Sequence, residues 1–435
     1  MAAPAKRRVV ITGLGVVSPL GNSAAALWDS LSAGRSGVAT LQSLPPIDGQ
    51  ISYGGEARDF TGHIDDFGDL EKDTKKAIRK ALKMMCRESM MAVAAAQQAI
   101  ADAGATGAAP ERAGVVFGCD YLLSPPDDLL AGMLKCGVAE GEFESQRWGT
   151  DGLGEMNPLW MLNYLPNMPG SHIAIFNDFR GPNNSLTMRE VAGVLAIREA
   201  AQTIERGHAD VMLAGATGTR IHSFKTIHAI QTEQLADPSL SPAEGCRPFD
   251  AQRTGMVVGE GAGAIVLEQR EAALARGATI YGEIVGTGSA AATDASLAAR
   301  RGDAMALAGR MALDAAELAS DALGHVSAHG LGDTDCDEAE AAALACILDE
   351  ARDDTPVAAA KSYFGNLGAG SGVVETIASL LALKSDSLYG TLNYKVPDPK
   401  CPVRVSTAGD SPGQSFLKLS VTPQGQAAAL AVARD

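Results

Sequence analysis

Two apolar runs, each carrying a closely spaced pair of glycines and followed later by an alanine-rich helix, constrain this chain more than any other feature. Arg8–Val17 (RVVITGLGVV) is continuous and rich in β-branched residues, which predicts a buried strand closed by its glycines. Met91–Gly104 reads as a helix of strong formers with a glycine stop, and Gly114–Gly118 as another strand. The same order returns roughly two hundred residues later: a strand at Ile280–Val285 with Gly286 and Gly288, a helix at Met305–Leu318, and a strand ending at Val326–His329. Met-Ala-Val-Ala at Met91 and Met-Ala-Leu-Ala at Met305 begin the corresponding helices. Strand, helix, strand is the order of a parallel α/β unit, and its return points to an internal duplication.

The join between the halves falls between Glu268 and Ile280, giving an N-terminal half over 7–268 and a C-terminal half over 277–421. No low-complexity linker separates them, so they are expected to share one core. With 435 residues, 46% apolar and 20% charged, the chain has ample material for that core and is not a disordered one.

The formal charge of −16 opposes binding to nucleic acid phosphates or anionic lipid. A basic run at Lys72, Lys75, Lys76, Arg79, Lys80 and Lys83 is the local exception. It reads either as a solvated helix face or as a landing site for an acidic carrier domain. Seven cysteines without a C-x-x-C pair fit reduced thiols in a cytosol, and no His/Cys set has metal-ligand spacing. The N-terminal apolar stretch is broken at Gly13, Gly15 and Pro19, so no membrane span or signal peptide is expected there, and a cytoplasmic protein is. No phosphate loop or cofactor motif occurs.

Arg189–Arg206 is apolar around most of its circumference, which predicts a mostly buried helix stopped by Gly207 ahead of a strand at Val211–Gly215. Its first turn carries Arg189 and Glu190, and charges that enter a core helix need partners or a function.

Four further segments make the chain resemble the β-ketoacyl-acyl-carrier-protein synthases, the condensing enzymes of the thiolase fold. They are Arg8–Asn22; Leu165–Gly170 (LPNMPG) with Gly181–Asn183 (GPN); Arg247–Asp250 (RPFD) through Arg253, Gly255 and Gly259–Gly263 (GEGAG); and Lys361-Ser362 with Gly365 and Glu375. In order and at family spacing they cover nearly the whole chain. The resemblance implies a five-layer αβαβα fold of two similar halves, a dimer, and an acyl carrier protein as partner. It also implies a decarboxylative condensation in which a cysteine at the start of a buried helix takes the acyl chain as a thioester, assisted by two histidines.

The residues depart from that pattern at the chemistry itself. Counting from Gly181, the family's cysteine falls on Glu190, and no cysteine lies between Cys136 and Cys246. The first histidine is retained as His329, followed at family spacing by Asp337 and Glu340, but Leu331 replaces the usual threonine. The second histidine is Asn366, which can donate a hydrogen bond but cannot shuttle a proton. The glycine- and phenylalanine-rich gate is replaced by Thr407–Gln414.

This pattern is most similar to polyketide chain-length factors, which carry glutamine in the cysteine's place and pair with an active ketosynthase. The candidate site is therefore Glu190, His329, Asn366 and Lys361, the last expected to pair with Glu375. Glu190 reads either as a buried acid paired with Arg189 or another base, or as a catalytic group, a general base or an anion at the decarboxylation site. The function expected is a non-condensing subunit of fatty acid or polyketide assembly, as a homo- or heterodimer. The alternative is a stand-alone acyl- or malonyl-thioester enzyme using His329 and Asn366.

Overall fold

The computed structural model describes residues 7–45, 47 and 49–435; Met1–Lys6 of the N-terminal segment read above lie outside the described residues. Apart from a short pair at Ala39–Thr40 and Tyr53–Gly54, the strands of the first half form part of the main sheet and are β1 (Val9–Val17), β2 (Ala113–Cys119), β3 (Asn183–Thr187), β4 (Val211–Thr219) and β5 (Glu260–Gln269). In the second they are β6 (Gly282–Ala291), β7 (His325–Ser327), β8 (Val357–Ala358), β9 (Ser415–Val421) and β10 (Gln426–Ala433). All ten belong to one sheet in the order β8-β7-β9-β10-β6-β1-β5-β4-β2-β3. Read outward from the central β6–β1 pair, each half has the same sequence of strands and the same directions. The innermost strand is antiparallel to the next, that one is antiparallel to the third, and the outer three are parallel. Identical pairing in both halves is the duplication in structural form.

Three apolar clusters make the layers. The largest lies between the two halves of the sheet. It is built from α2 (Ala192–Glu205), α4 (Ser371–Ser385) and the inward residues of strands from both halves, such as Leu14 and Val16 of β1 and Leu430 and Val432 of β10. The second covers the far side of the C-terminal half under α3 (Arg301–Ala316), and the third covers the far side of the N-terminal half under α1 (Arg87–Ala103). Helix, sheet, helix pair, sheet, helix is a five-layer αβαβα thiolase-like arrangement. Alternation sets the faces: on β5, Ile265 and Leu267 point to the middle layer while Ala264 and Val266 point to α1.

The paired glycines do something other than close their strands. β1 runs through Gly13 and Gly15, and β6 begins later than expected and runs through Gly286 and Gly288. A Cβ at Gly13 or Gly15 would run into the carbonyls of Ala99 or Ala95 on α1, and one at Gly286 or Gly288 into those of Ala312 or Ala308 on α3. The glycines thus let an outer helix lie directly on its strand, once in each half. Both outer helices also begin a turn before the expected methionine, at Arg87 and Arg301. The stretch expected to join the halves is the end of β5 followed by a short helix, Arg270–Ala275. No helix among the described residues is long and apolar enough to cross a membrane.

Candidate functional site

β3 leads through Met188 into a tight turn at Arg189–Val191, which then becomes α2. The turn is an elbow: Arg189 has φ +50°, a left-handed conformation that a long side chain adopts only when its surroundings hold it there. The chain can approach closely because Gly193 has no side chain; a Cβ there would lie 2.7 Å from Val373 at the start of α4. Glu190 therefore sits at the N-terminus of a buried helix and is itself only 2% exposed.

That carboxylate is surrounded by cations. Arg220, also 2% exposed, follows β4 and donates from Nη2 to Glu190 Oε1. Arg189 Nε is 3.4 Å from Oε2, and Asn366 Nδ2 donates to Oε1 at 3.3 Å. Burial pushes the Glu190 pKa up, but Arg220 and Arg189 together outweigh it and bring it down to about 2. Glu190 is ionised at neutral pH. The start of α2 adds a favourable dipole.

The cations are shared in turn. Arg220 reaches Asp120 at 3.4 Å, just past the end of β2, and Arg189 Nη2 donates to Glu233 at 2.6 Å. Nearby, the buried Lys225 ammonium donates to Glu88 at 2.7 Å and lies 5.3 Å over the Tyr121 ring, whose hydroxyl is 2.6 Å from His228 Nδ1. The elbow is the middle of a connected set of buried ion pairs.

His329 and Lys361 form a second cluster. His329 follows β7 in a loop that Gly330 (φ +48°) and Gly332 (φ +78°) turn. The loop is held from the helix Thr334–Leu348: Glu340 accepts from the backbone N–H groups of His329 and Gly330 at 2.6 and 2.7 Å, and Asp337 accepts from those of Leu331 and Phe249 at 2.9 and 2.8 Å. Lys361 Nζ donates to the His329 carbonyl and to Glu375, each at 2.6 Å, and lies 3.5 Å from His329 Nδ1. The Lys361–Glu375 pair expected from the sequence is present. Burial and the Lys361 and Lys418 ammonium groups push the His329 pKa well below its usual value, so the ring is neutral. A lysine donating toward Nδ1 leaves the ring proton on Nε2.

The sequence did not single out Lys418. It lies within β9, fully buried, and pairs with the other oxygen of Glu375 while donating to the carbonyls of Ala328 at 3.0 Å and Leu419 at 2.6 Å. Desolvation lowers its pKa to about 8. Two ammonium groups therefore share one carboxylate.

Asn366, five residues after Lys361, belongs to the Glu190 cluster. Its Oδ1 accepts from Gly368 N at 3.0 Å and Ser371 Oγ at 3.2 Å, and its amide nitrogen donates to Glu190 and faces Met256 Sδ at 3.0 Å. Both ends of the amide are engaged inside the protein. The replaced gate is equally self-contained. Asp410 accepts from Thr407 N at 2.8 Å and from Arg404 at 3.1 Å, and Leu388 N donates to the Asp410 carbonyl at 2.8 Å.

Burial pushes the thiols of Cys119 and Cys246 up to about 12, so neither offers a thiolate. Among the described residues no group of three or more His, Cys, Asp or Glu could hold a metal ion. The missed residues are Arg220, the partner of Glu190, and Asp120, which shares that arginine. The available signal was an arginine placed directly after a strand of small buried residues, where a long cation has no room to reach water.

Residues 6–273 match the β-ketoacyl synthase N-terminal domain and residues 281–395 the β-ketoacyl synthase C-terminal domain. The chain belongs to the β-ketoacyl synthase family. It is 32% identical over 404 residues to 3-oxoacyl-[acyl-carrier-protein] synthase 2 of Synechocystis sp., covering 92% of this chain and 91% of that protein. Its structure is similar to the ishigamide ketosynthase/chain length factor, with a TM-score of 0.82, 28% identity, and coverage of 99% of this chain and 100% of that one. It is also similar to a type II polyketide ketosynthase solved with its acyl-carrier protein and a bound hexaketide. There the TM-score is 0.80 at 25% identity, over 99% of this chain and 100% of that one. The elbow carries Glu190, the position at which the sequence resemblance leads one to expect the family's nucleophile.

Proposed function

We propose that this member of the β-ketoacyl synthase family is a non-condensing, chain-length-factor-like subunit that pairs with an active ketosynthase in fatty acid or polyketide assembly. The observation that carries the reading is Glu190, ionised and held by Arg220, Arg189 and Asn366. A carboxylate in that setting does not form a thioester, and its mixed anhydride would be hydrolysed. The similarity to a ketosynthase/chain length factor supports the pairing.

The surface supports it as well. β3 is the outermost strand of its half, paired on one side only and largely exposed, and an unpaired edge of this kind is a template for a second sheet. Leu130, Leu134, Phe143, Leu153, Leu159 and Met161, within one segment between β2 and β3, are exposed apolar side chains that a partner subunit would cover. The helix Lys72–Ala81 is anchored by buried Ile78 and Ala81 and presents Lys72, Arg79 and Lys80 to solvent, which suits an acidic carrier protein.

The stand-alone decarboxylase reading is weaker. A malonyl carboxylate would enter beside the Glu190 anion, and the Asn366 amide that would have to polarise the thioester already serves Glu190. Co-expression with a ketosynthase that retains its cysteine, from a neighbouring gene, tests the proposal. A complex by size-exclusion chromatography with a changed product length supports it; no complex and unchanged products would overturn it.

A further inference from the structure

The elbow holds more N–H donors than the Glu190 carboxylate uses. Arg220 is buried, yet its Nε finds no hydrogen-bond partner, and Arg189 Nε is within ion-pair distance of Glu190 without hydrogen-bond alignment. Arg220 follows β4, Arg189 precedes α2 and Asn366 lies on the turn before α4, so these donors come from separate parts of the fold and converge on the Glu190 carboxylate. Removing the Glu190 carboxylate would leave the Arg220, Arg189 and Asn366 donors that face it without an acceptor in a dry interior, which costs more than the lost contact alone. The arrangement is that of an anion receptor, and its occupant happens to be covalently attached.

We propose that the elbow is a carboxylate-binding site formed by Arg220, Arg189 and Asn366, with the Glu190 side chain as its internal ligand. Shortening Glu190 would open a compartment for a free one- or two-carbon carboxylate. Planar bidentate-capable guanidinium groups select a carboxylate over a spherical halide. Asp120 and Glu233, on the far sides of the two arginines, keep both guanidinium groups in position when Glu190 is gone. This inference goes beyond the proposed pairing with a ketosynthase and does not depend on it. The site concerns one subunit's interior, so its failure would leave the pairing untouched, and the loss of the pairing would leave the site untouched.

The test uses the full chain carrying Glu190→Gly, with sodium formate or sodium acetate as probe and sodium chloride at equal ionic strength as control. Thermal unfolding should show a lowered Tm for the variant. Formate and acetate should restore most of the loss in a saturable way and chloride should not, while the wild-type Tm should barely respond to any of them. Restoration by chloride equal to that by acetate, or a carboxylate effect as large in the wild type, would overturn the proposal. Should Glu190→Gly not fold alone, it is expressed and refolded with and without acetate. Recovery of folded protein only with acetate supports the site, and recovery independent of acetate, or none in either, contradicts it. The double variant Glu190→Leu with Arg220→Met, which removes both charges, should fold with no carboxylate response; a persisting response would place the anion elsewhere.

Discussion

The two buried clusters of the site hold charge in opposite ways. At the elbow, acids and bases alternate: Glu233, Arg189, Glu190, Arg220 and Asp120 form a chain in which each inner member has a neighbour of opposite sign on both sides. Around His329, two lysines converge on the single carboxylate of Glu375. The alternating chain has no member to spare. The second cluster sets two ammonium groups against that carboxylate, and desolvation, with Lys361 nearby, holds the Lys418 pKa down to about 8. Burial and the number of partners together decide how a buried charge is held.

The largest effect should come from breaking the alternating chain. Arg220→Met leaves Glu190 with Arg189 as its one remaining cation and takes the guanidinium away from Asp120, and should cost about 3–5 kcal/mol, read from the denaturant midpoint. Adding Glu190→Leu should return the Glu190 share of that loss and leave the Asp120 share. If the double variant is no more stable than the single, the two groups are not partners.

Acid should reveal the same pair. The Glu190 pKa is held at about 2 in the fold, below the ordinary carboxylate range, so its stabilisation is full above that range and is lost as pH falls toward 2. The span corresponds to about 3 kcal/mol. Glu190→Gln should be less stable than wild type at pH 6, and the gap should narrow at pH 3. A gap independent of pH would contradict an ionised Glu190.

In the second cluster the two lysines should separate. Lys361→Met removes donors to both Glu375 and the His329 carbonyl and should cost about 2–3 kcal/mol. Lys418→Met keeps Glu375 paired with Lys361 and should be neutral or stabilising by about 1 kcal/mol. Equal losses would mean that the cluster has no surplus.

The smallest effect is a slope. Lys418 titrates at about 8 in the fold but near 10.4 in an unfolded chain, so between those values the unfolded state binds more protons and stability should rise with pH. Urea midpoints from pH 7.5 to 10 should show this contribution in the wild type and lack it in Lys418→Met.

Much of this was legible in the sequence, for local reasons. The repeated glycine pairs marked β1 and β6, because a helix can lie on a strand only where the strand lacks side chains. Counting from Gly181 placed Glu190 at the helix start because the intervening strand and turn have a fixed length. The partners were harder to see. Arg220 is thirty residues from Glu190 and meets it only when β4 and α2 come together, a tertiary fact that no window of sequence contains. Lys418 could have been suspected, since in β9 it shares a face with Phe416, which faces the middle layer. A single lysine in a strand usually marks a solvated face, and that expectation fails here because both faces of β9 are covered. The glycines were misread as strand ends for a related reason: their function depends on the helix above them.

The central claim is that an ionised side chain stands where an attacking sulfur would have to be. Incubating the purified protein with acyl- and malonyl-loaded carrier protein and weighing the intact chain by mass spectrometry tests it most directly. The account predicts an unchanged mass and no β-ketoacyl product; an acyl adduct on any residue, or a condensation product made by this chain alone, would contradict it.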